Sequence, residues 1–178
     1  CGLLHDIGKS KIPNEIIGKP GKLTDSEYEE IKKHPVIGYN LVKNLDIDQR
    51  IKNAVLLHHE RFDGKGYPLG LTGNEIDDFT SIVSIADVYD ALVSERVYKK
   101  AFSHEKAIEM IQSGECGVFN PLLLECLLDI SSDLRMAAAF KGRNPYRFEA
   151  DRLSDEILAH ADVPRNDRVQ RLLESMQE

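Results

Sequence analysis

Nowhere in these 178 residues do polar and apolar side chains alternate over the length of a half-buried strand, so a sheet-based architecture is not expected. No apolar run approaches the roughly 18 residues that a membrane span needs. The three cysteines, Cys1, Cys116 and Cys126, are odd in number and show no CxxC spacing. That excludes a disulfide framework and a zinc ribbon and suits a reducing, cytoplasmic setting. A basic excess is also missing: the net charge is -7 and the pI is near 5.4. The balance argues against a general binder of duplex nucleic acid or of membrane surfaces, and an anionic ligand would need a local cluster of cations. Internal repeats and low-complexity tracts are absent too. What is present is 42% hydrophobic content, enough for one compact domain with a core and a small appendage.

Helix signals dominate, and the expected fold class is all-α. Thr24-Asp25-Ser26-Glu27 fits a capping box, predicting a helix from about Asp25 toward Lys33. Val36, Ile37, Leu41 and Val42 recur at helical spacing after Pro35, and another helix is expected from about Asp48 to His59. Residues 60–78 hold Gly64, Gly66, Gly70, Gly73 and Pro68 and read as an irregular loop, long enough to suggest a functional role. Phe79 to Ser94 is apolar on nearly every side and predicts a central buried helix. Ser103 is a cap for a helix to about Gln112, and Asn120-Pro121 begins one that runs toward Ala139. From Lys141 the composition changes. Residues 141–178, with short amphipathic segments near 151–161 and 164–177, read as a helical tail or linker toward a further domain. Such segments fit a homodimer contact and an interdomain spacer equally well.

Chemistry concentrates in a few places. HHERFDGKGYP at residues 58–68 runs paired histidines into a Gly/Pro turn, HDIGK occupies residues 5–9, and His34-Pro35 adds another imidazole. Asp87 and Asp90 lie in the apolar helix, on one stripe with Thr80 and Ser94. Taken singly, each has a bland reading. A His-Asp pair usually marks a surface hydrogen bond, and His58-His59 suits cations at a helix C-terminus. A carboxylate buried among apolar neighbours, by contrast, needs a partner or a metal. Together the groups suit phosphodiester hydrolysis. That reaction needs charge neutralisation and an activated water, and two cations about 3.5–4 Å apart supply both. A bridging carboxylate holds two cations that close, and Asp6 beside His5 is the candidate.

These residues resemble the HD-GYP family of HD-type metal-dependent phosphohydrolases, over roughly the first two thirds of the chain. The resemblance implies hydrolysis of the bacterial second messenger cyclic di-GMP. It implies two or three divalent metal ions, with iron or manganese favoured by a donor set that lacks thiolates. It makes His5, Asp6, His34, His58, His59 and Asp87 metal ligands, with His5 and Asp87 nearer one metal, His34, His58 and His59 nearer another, and Asp6 shared. Lys9, following Gly8, which looks mobile, is implied to stabilise or protonate the leaving group. Arg96 and Lys99 match the family's cationic positions for ligand phosphates. Arg61, Asp63, Gly64, Gly66, Tyr67 and Pro68 form the signature loop, and Asp90 joins the substrate-binding candidates. His104 and His160 fall on no family position and are expected at the surface.

The family pattern includes a helix before HDIGK that carries another metal-binding histidine, and this helix is not in the chain. The domain expected over residues 1–140 therefore reads as a catalytic unit lacking its first helix or helices. It is expected to be part of a larger protein with sensory or signalling domains, and on its own to hold metal weakly. Asn120 stands where the family more often has Asp, and caps a helix about as well. Two alternatives remain open at this point. One is an HD-type hydrolase of another cyclic dinucleotide or nucleotide; the other is a non-catalytic module that binds a ligand or partner through the signature loop.

Overall fold

A computed structural model describes residues 1, 2, 4–95 and 100–139 of the protein, the side chains of 137–139 excepted. Arg96, Lys99, His160 and the tail segments beyond residue 140 lie outside the described residues. The eight α-helices there are α1 (Asn14–Ile17), α2 (Asp25–Ile31), α3 (His34–Val42), α4 (Gln49–Leu57), α5 (Asp78–Val93), α6 (His104–Gln112), α7 (Pro121–Asp129) and α8 (Ser131–Ala139). A 3-10 turn, Ile7–Lys11, precedes them and another, Gly73–Glu75, lies before α5. Among the described residues the only strand-like feature is an isolated antiparallel bridge between Asp63 and Thr72. The all-α expectation holds. No described helix is long and apolar enough to cross a membrane.

Local sequence accounts for most helix starts. The Thr24 hydroxyl accepts from the Glu27 amide at 3.3 Å while the Glu27 carboxylate accepts from the Thr24 amide at 2.7 Å, which completes the capping box. Side chains of Asp48, Asp77, Ser103 and Asn120 each accept from a first-turn amide of α4, α5, α6 and α7. The helix read from Asn120 to Ala139 instead breaks at Ile130 into α7 and α8. Helix α5 also differs from expectation. Ile82 is 45% exposed, and Ala86 and Asp90 are exposed as well, so one stripe of this apolar helix faces outward.

Small residues set how closely the front of the chain packs. A Cβ on Gly8 would stand 1.9 Å from the His34 carbonyl oxygen and 2.6 Å from the Gly38 amide nitrogen. One on Gly38 would stand 2.9 Å from Val55 Cγ1. The Ile7–Lys11 turn and α3 therefore approach at backbone contact, the Val55 side chain of α4 closes on Gly38, and Gly8 is buried and fixed rather than mobile. Behind them Leu56, Leu57, Leu71 and Ile76 form one apolar cluster. Ile85, Tyr89, Leu92, Ala107, Ile108, Ile111, Phe119 and Leu127 form a second, around α5 and α6. His104 belongs to this second region and is not a free surface residue. Its ring nitrogens pair with the Tyr89 hydroxyl and the Ser131 hydroxyl, both at 2.9 Å, tying α5, α6 and α8 together.

The 60–78 loop is held from within. Glu60 is 2% exposed, and its carboxylate accepts from the amides of Leu69 (2.6 Å), Gly70 (3.2 Å) and Leu71 (2.9 Å). Burial still pushes its pKa up, against the opposing effect of those amides. Gly66 passes so near that a Cβ would meet the Glu60 Cα and the Arg61 amide nitrogen, each at 2.4 Å. The Tyr67-Pro68 peptide bond, which follows, is cis.

Two substitutions test this framework. Gly8→Ala forces α3 off the 3-10 turn and is expected to cost about 2–3 kcal/mol in urea unfolding. Glu60→Gln leaves an amide group facing a backbone N–H and is expected to cost about 1–3 kcal/mol. Faster amide hydrogen exchange at Leu69, Gly70 and Leu71 should accompany it; unchanged exchange there would contradict the staple.

Candidate metal centre

Four structural segments aim their donors at one spot. Asp6 directly precedes the first 3-10 turn with His5 beside it, His34 opens α3, His58 and His59 follow the last turn of α4, and Asp87 lies in the middle of α5. His34 and His58 are fully buried. Ligand atoms of Asp6, His34, His58 and His59 all lie within 4.8 Å of one another, as do those of His5, Asp6 and Asp87. Asp6 belongs to both groups.

Main-chain carbonyls fix which ring nitrogen faces inward. His34 Nδ1 donates to the Ile31 carbonyl at 2.7 Å, His58 Nδ1 to the carbonyls of Ala54 and Val55 at 3.0 and 3.1 Å, and His5 Nδ1 to Gly2 at 2.9 Å. In a neutral imidazole the proton is then on Nδ1 and the lone pair on Nε2. The Nε2 atoms of His34 and His58 face each other at 3.3 Å, and lie 3.2 and 3.8 Å from Asp6 Oδ1. That oxygen is buried and makes no hydrogen bond of acceptable geometry. Converging lone pairs around a buried, unpartnered carboxylate oxygen suit a divalent cation, and the residues present fit one.

Charge is arranged to match. Burial, reinforced by His34 and His5, lowers His58 to about 4. Burial and then the neighbouring His58 lower His59 to about 2, so both rings are neutral donors at ordinary pH. His5 goes the other way. Hydrogen bonding to Asp6 and then to Asp87 raises it to about 10, against the effect of burial, with Nε2 3.4 and 3.5 Å from the two carboxylates. Burial opposes ionisation of Asp6, yet the neighbouring His34, His5 and Lys9 hold it well below the usual carboxylate range. Asp87 is likewise lowered by His5 against the opposing effect of burial.

The remaining sequence candidates divide. Lys9 reaches the centre, its ammonium 2.6 Å from Asp6 Oδ2. Tyr67 does as well, its ring stacked on His59 at 4.6 Å. Arg61 has a different place from the one expected. Its guanidinium donates to the carbonyls of Glu60, His58 and Cys116 and to the Ser84 hydroxyl, and lies 5.0 Å from the Phe119 ring, so it braces the loop instead of facing an open site. Asp63 is exposed and pairs with Lys65 at 3.0 Å. Asp90 is exposed one turn beyond Asp87 and accepts from the Ser94 hydroxyl at 3.2 Å. Gly64, at φ +76°, and Gly66 shape the loop, and Pro68 follows the stacked tyrosine. Two residues were not singled out from sequence. Glu60 follows the His pair directly, which was the available signal, and Lys32 sits 5.7 Å from the centroid of Tyr67.

Residues 1–120 match the family model described as HD domain. The chain is 43% identical over 149 residues to a protein of Vibrio cholerae named cyclic di-GMP phosphodiesterase; the match spans 78% of this chain and 30% of that protein. It is 34% identical over 136 residues to a Vibrio cholerae protein named 3'3'-cGAMP-specific phosphodiesterase 3, spanning 76% of this chain and 29% of that one. The chain thus corresponds to less than a third of the length of these relatives. Among solved structures it resembles Bd1817, an HDG"Y"P protein from Bdellovibrio bacteriovorus, with a TM-score of 0.57 and 26% identity, covering 72% of this chain and 40% of the other. The HD-GYP resemblance read from HDIGK and the 58–68 loop is borne out, and the chain belongs to the HD domain family.

Proposed function

We propose that this chain carries the catalytic site of a cytoplasmic, metal-dependent phosphodiesterase that hydrolyses cyclic di-GMP to the linear dinucleotide, and in a second cut to GMP. The observation that carries this reading is Asp6, a half-buried carboxylate common to both donor groups with one buried oxygen left unpaired. Residues 1–140 are the catalytic unit in this reading, and sensory or signalling domains of the same protein control it.

Asp6, His34, His58 and His59 would hold one divalent cation and His5, Asp6 and Asp87 a second. Iron or manganese suits these nitrogen and oxygen donors. A bound pair supplies charge neutralisation for the diester and a lowered pKa for water. The chain's own residues do the rest. The Nδ1–carbonyl bonds orient the imidazoles, so little reorganisation is needed when substrate arrives. Tyr67 shields His59 from solvent. Lys9 keeps a proton beside Asp6 and gives it to the ribose oxygen that leaves phosphorus. The imidazolium of His5 and the ammonium of Lys9 together balance Asp6 and Asp87, and His5 would have to give up its Nε2 proton to become a ligand. A second substrate reading, 3'3'-cGAMP, is favoured by the relative named for that activity.

The direct test is hydrolysis of cyclic di-GMP and 3'3'-cGAMP by the full-length protein with Mn²⁺, or with Fe²⁺ under anaerobic conditions. Turnover is expected to fall by at least about 10³-fold in Asp6→Ala, in the range seen when a principal electrostatic group is removed. Metal-loaded protein inactive on both nucleotides would leave only a binding role. The raised pKa of His5 gives a further expectation. Below about pH 10 the free His5 is protonated, so filling its site releases a proton and affinity rises with pH up to about 10. Calorimetry of Mn²⁺ binding at pH 7.5, in two buffers of different ionisation enthalpy, should show about one proton released from His5; no release would exclude it as a ligand.

A further inference from the structure

The substrate proposed above contains two phosphodiesters in one covalent ring. When one lies against the cluster around Asp6, the other is held within a ribose's length of it and still carries its charge. Among the described cations most are already committed. Lys9 is bonded to Asp6, Arg61 is turned into the loop scaffold, and Lys65 is 83% exposed and paired with Asp63.

Lys32 is placed differently. It follows Ile31, whose carbonyl fixes the His34 tautomer, so the C-terminal end of α2 abuts the cluster. Its ammonium lies 5.5 Å from the centroid of Tyr28 and 5.7 Å from that of Tyr67, and Tyr67 stacks on His59. Two aromatic rings within cation–π range confine a side chain that would otherwise sweep a wide volume. Among the described residues its ionic partner is Glu29 at 2.6 Å, itself 66% exposed. Exposed ion pairs of this kind contribute little, so an incoming phosphate can exchange with Glu29 at small cost. Tyr28 also lines an open groove of about 650 Å³ with Ile16, Ile17, Leu23 and Ile31.

We propose that Lys32, held between Tyr28 and Tyr67, is a substrate-contacting residue that binds the phosphodiester not being cleaved and so favours cyclic dinucleotides over simple diesters. This rests on the cyclic dinucleotide reading. No bond is made or broken by Lys32; it donates hydrogen bonds to a non-bridging phosphate oxygen.

The test compares Lys32→Gln and Lys32→Arg with the parent in the full-length protein, on cyclic di-GMP and on bis(p-nitrophenyl) phosphate, which has a single phosphorus. Metal content is measured on each variant. Lys32→Gln is expected to raise KM for cyclic di-GMP roughly ten- to hundred-fold, with kcat within a few-fold. The change on the small diester should be far smaller, metal content should be retained, and Lys32→Arg should recover most of the loss. Equal shifts on both substrates, an unmoved KM, or loss of metal in Lys32→Gln would each overturn the proposal, the last by making Lys32 a support of the fold. A parent protein that cleaves the small diester but no cyclic dinucleotide overturns the substrate reading and this proposal together. Turnover of cyclic di-GMP by the parent with an unmoved variant overturns this proposal alone.

Discussion

The carboxylate of Asp6 is the point on which the other groups depend. Its two oxygens divide the work: Oδ1 faces the Nε2 atoms of His34 and His58, and Oδ2 meets Lys9 at 2.6 Å and His5 at 3.4 Å. Its charge is held by the donors on Oδ2, the ammonium of Lys9 and the ring of His5. The rings that face Oδ1 come from α3 and the end of α4, so the position of Asp6 requires the Ile7–Lys11 turn to lie against α3 at the distance that Gly8 and Gly38 permit. The chemistry of residue 6 and the size of residue 8 are thus one constraint.

The signature loop shows the same economy with the opposite use of charge. Glu60 and Arg61 follow the paired histidines and look, as ionisable groups beside a metal site, like further ligands or substrate contacts. Both are instead consumed by the main chain. Glu60 gathers three amides of the returning strand of loop, and Arg61 spans carbonyls on either side together with Ser84 of α5. A buried charge with its hydrogen bonds satisfied by backbone groups fixes direction as well as position, since those groups cannot rotate away. The outcome reaches the site through Tyr67, whose ring can lie flat on His59 because the chain before and after it is pinned.

How much of this the sequence disclosed depended on range. Thr24 with Glu27, Ser103 and Asn120 act on amides two or three residues away, and their capping was readable because both partners lie in one short window. The six histidine and aspartate positions could be grouped only because the motifs resemble a family, since nothing in spacing alone brings Asp87 to His5. Where a residue's role depends on a distant partner the reading failed. Gly8 looked mobile until α3 closed over it, Arg61 looked available until the Cys116 carbonyl and Phe119 ring met it, and His104 looked superficial until Ser131 came round to pair with it. Helix α5 failed for another reason. Apolar residues are permitted outside, so counting them cannot say that Ile82 faces outward.

The centre is also where the fold gives up stability. His34 and His58, each with its Nδ1 committed to a main-chain carbonyl, turn their Nε2 atoms toward each other at 3.3 Å and toward a buried oxygen of Asp6, a geometry that a cation between them would relieve. His5 as an imidazolium supplies part of that charge on one side of Asp6, and Lys9 part on the other, but neither lies between His34 and His58. Helix packing therefore holds these two rings against their own electrostatics, and a divalent cation that removes the conflict binds the folded state in preference to the unfolded one. Preorganisation for catalysis and metal-dependent stability have the same origin here. The main-chain bonds that stop the rings from turning away are what would make a cation bind tightly between them.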